Sequence, residues 1–314
     1  MEKFSYIFPG QGSQKVGMGA ELVQNYPIAR EIFDEADAFI GKALSQLCFE
    51  GPETELKQTE NTQLAILTCS VATLQILKHH INVLPKAVAG HSLGEYTALV
   101  ASGVLTFADA FKLVSARAKY MAEVSVNQNG TMAAILGMDK KRLQQICDKV
   151  DGIVRIANYN CPGQLVISGE VDAVHQAVAL ASEEIGSRRC RLLPVSGAFH
   201  SPLMESAAEK FKPILDTVTF HPPETHIVMN VTGDVISDTD SIKHLLYQQI
   251  TAPVQWEKTL NTMWNSGVTD YVEIGPGNVL SGLVKRTLAD SSNIMNVEDS
   301  HSLSHVIDEL GNGA

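Results

Sequence analysis

AVAGHSLGEYTALVAS, residues 87–102, passes from a short apolar run to a helix-favouring run through a turn that holds one serine between two glycines. The first run predicts a buried strand over 87–89, and the second predicts a helix over 95–102. The turn between them, residues 90–94, matches the G-x-S-x-G pattern of a nucleophile elbow. The glycines suit such a turn because the strained backbone leaves no room for side chains. The pattern predicts that Ser92 is a nucleophile at a helix N-terminus, where the helix dipole favours developing negative charge.

Strands and helices alternate on both sides of this turn. Residues 4–8 predict a buried strand that Pro9 and Gly10 end, and Thr106 is the predicted cap of a helix over 107–124. Further helices are predicted over 20–48, 62–79 and 241–250, and further strands over 227–231 and 271–274. The alternation favours an α/β body, and with the elbow we expect an α/β-hydrolase-like large subdomain with a parallel sheet.

The pattern changes after the polar stretch at 127–130. Strands are predicted over 132–136, 153–157, 165–168 and 191–195, and helices over 140–150 and 171–185. This βαββαβ order is that of a ferredoxin-like unit. We therefore predict a small ferredoxin-like subdomain at 128–195, inserted into a large catalytic subdomain made of 1–127 and 196–314.

The composition excludes several classes of protein. The chain has 314 residues, 45% of them hydrophobic, and 24 Lys and Arg against 35 Asp and Glu, for a net charge of -11. Such an acidic chain is a poor match for a nucleic-acid backbone. The N-terminal sequence is not typical of a signal peptide, and no apolar run is long enough to span a membrane. Five cysteines without a C-x-x-C pair indicate a reduced compartment, so we expect a soluble, cytoplasmic protein.

The glycine-rich loop GQGSQKVGMG, residues 10–19, does not fit a nucleotide site. Lys15 stands where a dinucleotide fingerprint has its third glycine, and no G-x-x-x-x-G-K is present. The spacing of cysteines and histidines does not suit zinc either. We expect no cofactor and no metal.

A serine nucleophile needs a neutral base, and His200 is the best of the ten histidines. It precedes Ser201 and Pro202, a predicted N-cap and first helical residue, and a helix N-terminus favours a neutral imidazole. His91 adjoins Ser92, but its side chain should point away. The others lie on polar faces, in turns or in the tail, where a solvated role is the simpler interpretation: His79, His80, His175, His221, His226, His244, His301 and His305.

Arg117 lies on the apolar face of its predicted helix, with Ala110, Val114 and Met121. An unpaired buried guanidinium is costly, so an anion is expected nearby. That anion could be an internal Asp or Glu, or it could arrive with the substrate, because arginine can hold a carboxylate with two parallel hydrogen bonds.

From about Phe4 to Arg286 the chain resembles the malonyl-CoA:acyl carrier protein transacylases, the malonyltransferases of fatty-acid and polyketide synthesis. The motifs that carry the resemblance occur in order along the chain: F-P-G-Q-G-S-Q at 8–14, G-H-S-L-G-E-Y at 90–96, S-A-R-A-K-Y-M at 115–121, G-A-F-H-S at 197–201, Q-I-T-A-P-V-Q-W at 249–256 and E-I-G-P-G-N-V-L at 273–280.

The resemblance implies a role for each matching residue. Ser92 would be acylated with His200 as its base, and Gln249 would hold His200 through its side-chain carbonyl. Arg117 would bind the malonyl carboxylate, and the backbone N–H groups of Gln11 and Leu93 would form the oxyanion hole. Elbow enzymes use the residue after the nucleophile and an amide from an early loop in this way. The A-F-H at 198–200 and the Leu after the nucleophile resemble malonyl-selective sites.

The predicted function is therefore transfer of malonyl from malonyl-CoA to the phosphopantetheine thiol of acyl carrier protein, by a monomer without nucleic-acid or membrane partners. Two alternatives remain at this stage: a serine esterase or thioesterase, and a non-catalytic module that binds carrier protein. Because the carrier proteins are acidic, binding them needs a local basic surface. Two clusters are candidates, Arg188, Arg189 and Arg191, and Lys285 and Arg286, and the alternative for each is a set of ordinary solvated charges.

Overall fold

The computed structural model describes residues 3–81, 83–195, 197–289 and 292–311, and these residues form two separate β-sheets with helices around them. The strands are β1 (Phe4–Phe8), β2 (Ala87–Gly90), β3 (Gly130–Leu136), β4 (Val154–Cys161), β5 (Gln164–Glu170), β6 (Cys190–Leu192), β7 (His226–Val228), β8 (Val235–Ile236), β9 (Asp270–Ile274) and β10 (Asn293–Val297). The helices are α1 (Ala20–Asn25), α2 (Pro27–Ile40), α3 (Leu44–Glu50), α4 (Glu53–Leu56), α5 (Thr59–His80), α6 (Gly94–Ala101), α7 (Phe107–Asn127), α8 (Lys140–Lys149), α9 (Val171–Ile185), α10 (Glu205–Leu215), α11 (Thr239–Gln249), α12 (Trp256–Asn265), α13 (Val279–Leu288) and α14 (Ser300–Gly311).

The larger sheet has six strands in the order β10-β9-β1-β2-β7-β8. The first five run parallel, and only β8 is antiparallel to its neighbour. Every residue of β1 and β2 is buried, as expected for parallel strands that are covered on both faces. In the register of this pair Phe8 lies opposite Gly90, so the two strands end side by side. The loops that follow them, which carry Gln11 and Ser92, are therefore neighbours.

The smaller sheet is antiparallel and has the order β4-β5-β3-β6. One of its faces packs against α8 and α9 in a core of its own, to which Ile135 and Ile167 contribute. Side chains alternate across a strand, so Met132 and Val166 point the other way and join the core of the larger sheet. The small sheet thus packs with one face on α8 and α9 and with the other face on the core of the larger sheet.

Mixed α/β architecture is confirmed, but some predicted elements differ from those observed. The helix expected over 20–48 is three helices, because Pro27 begins α2 and Gly41 ends it with a left-handed backbone at φ 61°. The strand expected over 227–231 ends at Val228, since a turn follows in which the Gly233 N–H donates to the Met229 carbonyl. The strand expected over 191–195 is also shorter, and the predicted boundary residue Ser196 lies outside the described residues.

Within the described ranges no helix is long and apolar enough to cross a membrane, and no group of three His, Cys, Asp or Glu could hold a metal ion.

Candidate active site

The turn between β2 and α6 has the geometry of a nucleophile elbow. Ser92 has a positive φ of 50°, which a residue with a side chain rarely adopts. A Cβ at Gly90 would lie 1.9 Å from the Gly94 carbonyl oxygen, and a Cβ at Gly94 would lie 2.1 Å from the Phe8 carbonyl oxygen. Only glycine fits at these two positions, and the close approach sets the elbow against the end of β1.

Asn230, which follows β7, holds the elbow in this conformation. Its Oδ1 accepts the Ser92 N–H at 2.7 Å, and its Nδ2 donates to the Gly90 carbonyl at 2.6 Å. The main-chain N–H of Ser92 therefore donates to Asn230 and is not free to bind a substrate. No sequence pattern predicted this residue, because it comes from a turn more than a hundred residues away.

His200 lies against Ser92, with 2.8 Å between its Nε2 and Ser92 Oγ. Its Nδ1 faces two backbone carbonyls, that of Gln249 at 2.8 Å and that of Ala252 at 3.2 Å. Carbonyls only accept hydrogen bonds, so Nδ1 carries the proton and Nε2 is free to accept one from the serine. His200 is 4% exposed, and burial together with the positive charge of Arg117 lowers its pKa to about 3. The imidazole is thus a neutral base at physiological pH.

The side chain of Gln249 does not hold His200, and that expectation is wrong. The contact comes from the main-chain carbonyl of Gln249, which lies at the last residue of α11 and so has no partner within the helix. The side-chain amide is engaged elsewhere: Nε2 donates to the Ser92 carbonyl at 2.8 Å and to Glu95 Oε2 at 2.7 Å, and Oε1 accepts from Arg117.

Arg117 reaches the nucleophile from the buried face of α7, as its spacing predicted. Its side chain is 1% exposed, and Nη2 donates to Ser92 Oγ and to Gln249 Oε1, each at 3.0 Å. Nη1 donates to Gln63 Oε1 at 2.5 Å, and Nε is buried and has no hydrogen-bond partner in the part of the chain that the structure describes. Among the described residues no carboxylate forms an ion pair with Arg117, so the internal salt bridge considered for it is absent there.

A cavity of about 230 Å³ opens above Ser92. Gln11 and Leu93 line it on the side of the elbow, and in the described part of the chain neither of their amide N–H groups donates a hydrogen bond. The opposite wall comes from the small sheet and the segment after it, and one end comes from α13: Met132, Asn158, Asn160, Gln164, Val166, Leu193, Val195, Val279, Leu280 and Leu283.

His91 points away from Ser92, as expected. Its Nε2 is 2.9 Å from Asn160 Oδ1, and its ring packs against Trp256 with 5.5 Å between ring centroids. It therefore ties the elbow to the small sheet. The eight histidines that we interpreted as solvated are all exposed.

Sequence reasoning missed the polar residues behind Ser92. Glu95 is fully buried in the apolar helix α6, and an acidic residue in such a run is a usable signal. Gln63 is also buried, but it follows polar residues at the start of α5 and so does not stand out. Asn230 and Asn160 had no such signal, because their neighbours along the chain are ordinary.

Comparison with known proteins agrees with this geometry. The family described as "Acyl transferase domain" matches residues 5–309. The "Malonyl CoA-acyl carrier protein transacylase" of Bacillus subtilis (strain 168) is 47% identical over 289 residues, which cover 91% of this chain and 90% of that protein. The protein of the same name from Escherichia coli O157:H7 is 44% identical over 288 residues, covering 91% and 93%.

Two solved structures are similar over almost the whole chain. The crystal structure of MCAT from Streptococcus pneumoniae superposes with a TM-score of 0.92 at 40% identity and covers 98% of this chain and 100% of that one. A malonyl-transacylase solved in complex with its type II PKS acyl-carrier protein gives a TM-score of 0.93 at 38% identity, with coverage of 98% and 100%. The chain therefore belongs to the acyl transferase domain family, among relatives that are malonyl CoA-acyl carrier protein transacylases.

Proposed function

We propose that the protein transfers malonyl from malonyl-CoA to the phosphopantetheine thiol of acyl carrier protein, with the acyl group held on Ser92 in between. One observation carries the proposal: Ser92 Oγ lies 2.8 Å from the neutral Nε2 of His200 and 3.0 Å from the buried guanidinium of Arg117. The base His200 by itself would activate Ser92 toward any thioester, so it does not indicate which acyl group is transferred. A buried cation beside the nucleophile, with no carboxylate ion-paired to it among the described residues, favours an acyl group that brings its own carboxylate. The names of the relatives agree with this pair of substrates.

In the first half-reaction Ser92 Oγ attacks the thioester carbon of malonyl-CoA and passes its proton to His200 Nε2. The oxyanion accepts hydrogen bonds from the Gln11 and Leu93 amides, and one such donor is typically worth roughly 3 kcal/mol. When the tetrahedral intermediate collapses, the C–S bond breaks and His200 returns the proton to the leaving sulfur, so CoA departs as a thiol.

In the second half-reaction the phosphopantetheine thiol gives its proton to His200 and its sulfur attacks the malonyl-serine ester. The C–O bond to Ser92 breaks, and Oγ takes the proton back. CoA leaves before the carrier protein reacts, so the kinetics are ping-pong. The main-chain carbonyls of Gln249 and Ala252 orient His200 throughout. The proposed reaction uses no cofactor and no metal.

The proposal includes a division of the chain into an α/β-hydrolase-like large subdomain, residues 1–127 and 196–314, and a ferredoxin-like insert at 128–195. The mainly parallel sheet with the elbow after β2 supports the first assignment. The second is supported by the βαββαβ order of β3 to β6 and their antiparallel pairing. The cavity lies between the two, so both subdomains would contact the substrate.

The acyl-enzyme is the first test. Incubation with malonyl-CoA, followed by mass spectrometry of the peptides, should find the mass of one malonyl group on Ser92. Ser92→Ala should carry no adduct. Malonyl on a different residue of the unaltered protein would overturn the assignment of the nucleophile.

Arg117 is tested by comparing malonyl-CoA with acetyl-CoA, which lacks the carboxylate. Arg117→Ala should lower kcat/KM for malonyl roughly a hundredfold or more, because breaking a buried charge pair costs about 3–5 kcal/mol. Transfer of acetyl should be kept or increased. Arg155→Ala, at an exposed position in β4, is the control and should change neither rate. Equal losses for malonyl and acetyl in Arg117→Ala would assign the arginine a structural role.

A thioesterase would use the same elbow with water as acceptor. The described residues place no carboxylate on His200 Nδ1, whereas a hydrolase of this type has an Asp or Glu there. Release of free malonate without carrier protein, at a rate equal to that of transfer with it, would assign a thioesterase. A protein that forms no acyl-enzyme would instead be a binding module.

A further inference from the structure

Glu95 is a fully buried acid directly behind the nucleophile, and the proposed reaction gives it no role. It lies in the first turn of α6 and is 0% exposed. Its Oε1 accepts the main-chain N–H of Asn230 at 2.5 Å, and its Oε2 accepts the side-chain N–H of Gln249 at 2.7 Å. The carboxylate thus joins the residue that holds the elbow to the residue that contacts Arg117.

The Gln249 amide can point in two ways, and its partners select one. With Nε2 toward Glu95, its two hydrogens go to Glu95 and to the Ser92 carbonyl, and Oε1 faces Arg117 Nη2 at 3.0 Å. Turned over, the amide would present N–H groups to a guanidinium that can only donate. A carboxylate at Glu95 accepts only, so it admits the first orientation alone.

We propose that Glu95 is a positioning residue that sets the orientation of the Gln249 amide and thereby holds the Arg117 guanidinium beside Ser92 for the carboxylate of the acyl group. The inference rests on the proposed role of Arg117 as the carboxylate-binding residue. It makes Glu95 a determinant of selectivity for acyl groups that carry a carboxylate, although Glu95 touches no substrate.

The charges fit this role. Arg117 has neutral hydrogen-bond partners, and the Glu95 carboxyl group is joined to it through one amide, that of Gln249. Burial raises the pKa of Glu95 to about 8, and the hydrogen bonds from Asn230 and Gln249 and the charge of Arg117 oppose that rise. A protonated Glu95 would carry an O–H donor, so it would no longer require the N–H of Gln249 and would no longer fix the orientation of that amide.

Glu95→Gln tests the inference, because it keeps the size of the side chain and removes the charge. Above pH 8, where Glu95 is ionised, we expect the ratio of kcat/KM for malonyl-CoA to that for acetyl-CoA to fall about tenfold to a hundredfold, the range typical of a lost hydrogen bond to a charged group. The two substrates share all of the CoA, so the ratio reports on the acyl carboxylate alone. Thermal unfolding of each variant shows whether it is folded.

Glu273→Gln is the matched control. Glu273 is also buried, and its carboxylate accepts the amides of Leu280 and Ser281 at 3.0 and 2.7 Å at the start of α13. This variant loses the same charge from a similar hydrogen-bonded site, and its malonyl-to-acetyl ratio should be that of the unaltered protein. An unchanged ratio in Glu95→Gln, or equal losses for both acyl groups, would overturn the inference.

Two further measurements separate the possible failures. An unchanged malonyl-to-acetyl ratio in Arg117→Ala would overturn the proposed role of the arginine itself. A changed ratio in Arg117→Ala together with an unchanged ratio in Glu95→Gln would overturn only the inference about Glu95.

If Glu95→Gln does not fold, the pH dependence of the ratio in the unaltered protein provides the test. In the described part of the chain, the other titratable groups that interact with Glu95 are Arg117 and Tyr96. Neither changes charge near pH 8, because burial raises the pKa of Tyr96 and a guanidinium stays protonated. The ratio should therefore rise with pH as Glu95 ionises, and a flat profile would overturn the inference.

Discussion

At the scale of single residues, the two partners of the central hydrogen bond share an unusual backbone. Ser92 and His200 have φ of 50° and 57°, in the left-handed region that side chains disfavour. Strain of this kind persists only where the surroundings hold it. For Ser92 the holding contacts are those of Asn230, and the side chain of His200 is held by the main-chain carbonyls of Gln249 and Ala252 at the end of α11. The reacting geometry is therefore built before a substrate arrives.

The low pKa of His200 predicts an unusual pH dependence. Burial and Arg117 lower the pKa from 6.5 to about 3, so the neutral base persists well below pH 6.5. The acid limb of kcat/KM for acetyl-CoA should lie below the ordinary range of histidine. In Arg117→Ala it should move to higher pH, because the cation that opposes protonation is gone. Identical limbs in the two proteins would contradict this explanation.

The lowered pKa of His200 also makes the stability of the fold depend on pH, which affects the measurement of the acid limb. Between pH 6.5 and about pH 3, His200 is protonated in the unfolded chain but neutral in the folded protein. The free energy of unfolding therefore decreases as the pH falls through this range. Circular dichroism at each pH separates this loss of fold from loss of the base.

At the scale of elements, the site depends on how closely α6 approaches β1. Gly94 is the first residue of α6, and the Phe8 carbonyl occupies the space where its side chain would be. This packing places the loop with Gln11 beside Leu93. Gln11 and Leu93, from two separate loops, thereby line the same cavity.

Gly94→Ala tests that packing. The added methyl would meet the Phe8 carbonyl oxygen at 2.1 Å, so the free energy of unfolding should fall by about 1–3 kcal/mol or more, and acylation of Ser92 should be lost. Gly282→Ala is the control: it lies within α13, and its nearest contact would be Arg286 at 3.6 Å. It should stabilise the protein by roughly 0.5–1 kcal/mol, the helix preference of alanine. Denaturant unfolding measures both, and equal stability of the two variants would contradict the explanation.

At the scale of the whole molecule, the net charge of -11 opposes both proposed substrates, which are anionic. Exposed bases near the cavity should therefore matter more than the overall charge. Lys285 and Arg286 are exposed on α13, whose Val279 lines the cavity, and Arg189 is exposed just before β6. We propose these as the sites that receive the acidic carrier protein.

Charge reversal tests the two sites separately. Lys285→Glu and Arg189→Glu should each raise KM for carrier protein, by roughly twofold to tenfold, since exposed ion pairs contribute at most about 1 kcal/mol each. The rate of acylation by malonyl-CoA should change less. Lys42→Glu, an exposed lysine between α2 and α3, has the same change of charge away from the residues that line the cavity. A cluster whose reversal acts no more strongly than Lys42→Glu is not a docking site.

Much of this molecule could be predicted from residue types and their spacing. The strand, turn and helix around Ser92 were predictable because the chemistry of an elbow requires glycines at fixed positions. The buried face with Arg117 followed from helical periodicity, and the order of elements at 128–195 followed from alternating patterns. These features are local, so neighbouring residues suffice to specify them.

Only the tertiary structure decided which atoms meet behind the nucleophile. Gln249 contacts His200 through its main chain, because its helix ends there, while its side chain serves Arg117 and Glu95. Asn230 and Glu95 join the site through contacts between residues 135 positions apart. Such contacts depend on how strands and helices pack in three dimensions, and no period or short motif along the chain encodes them.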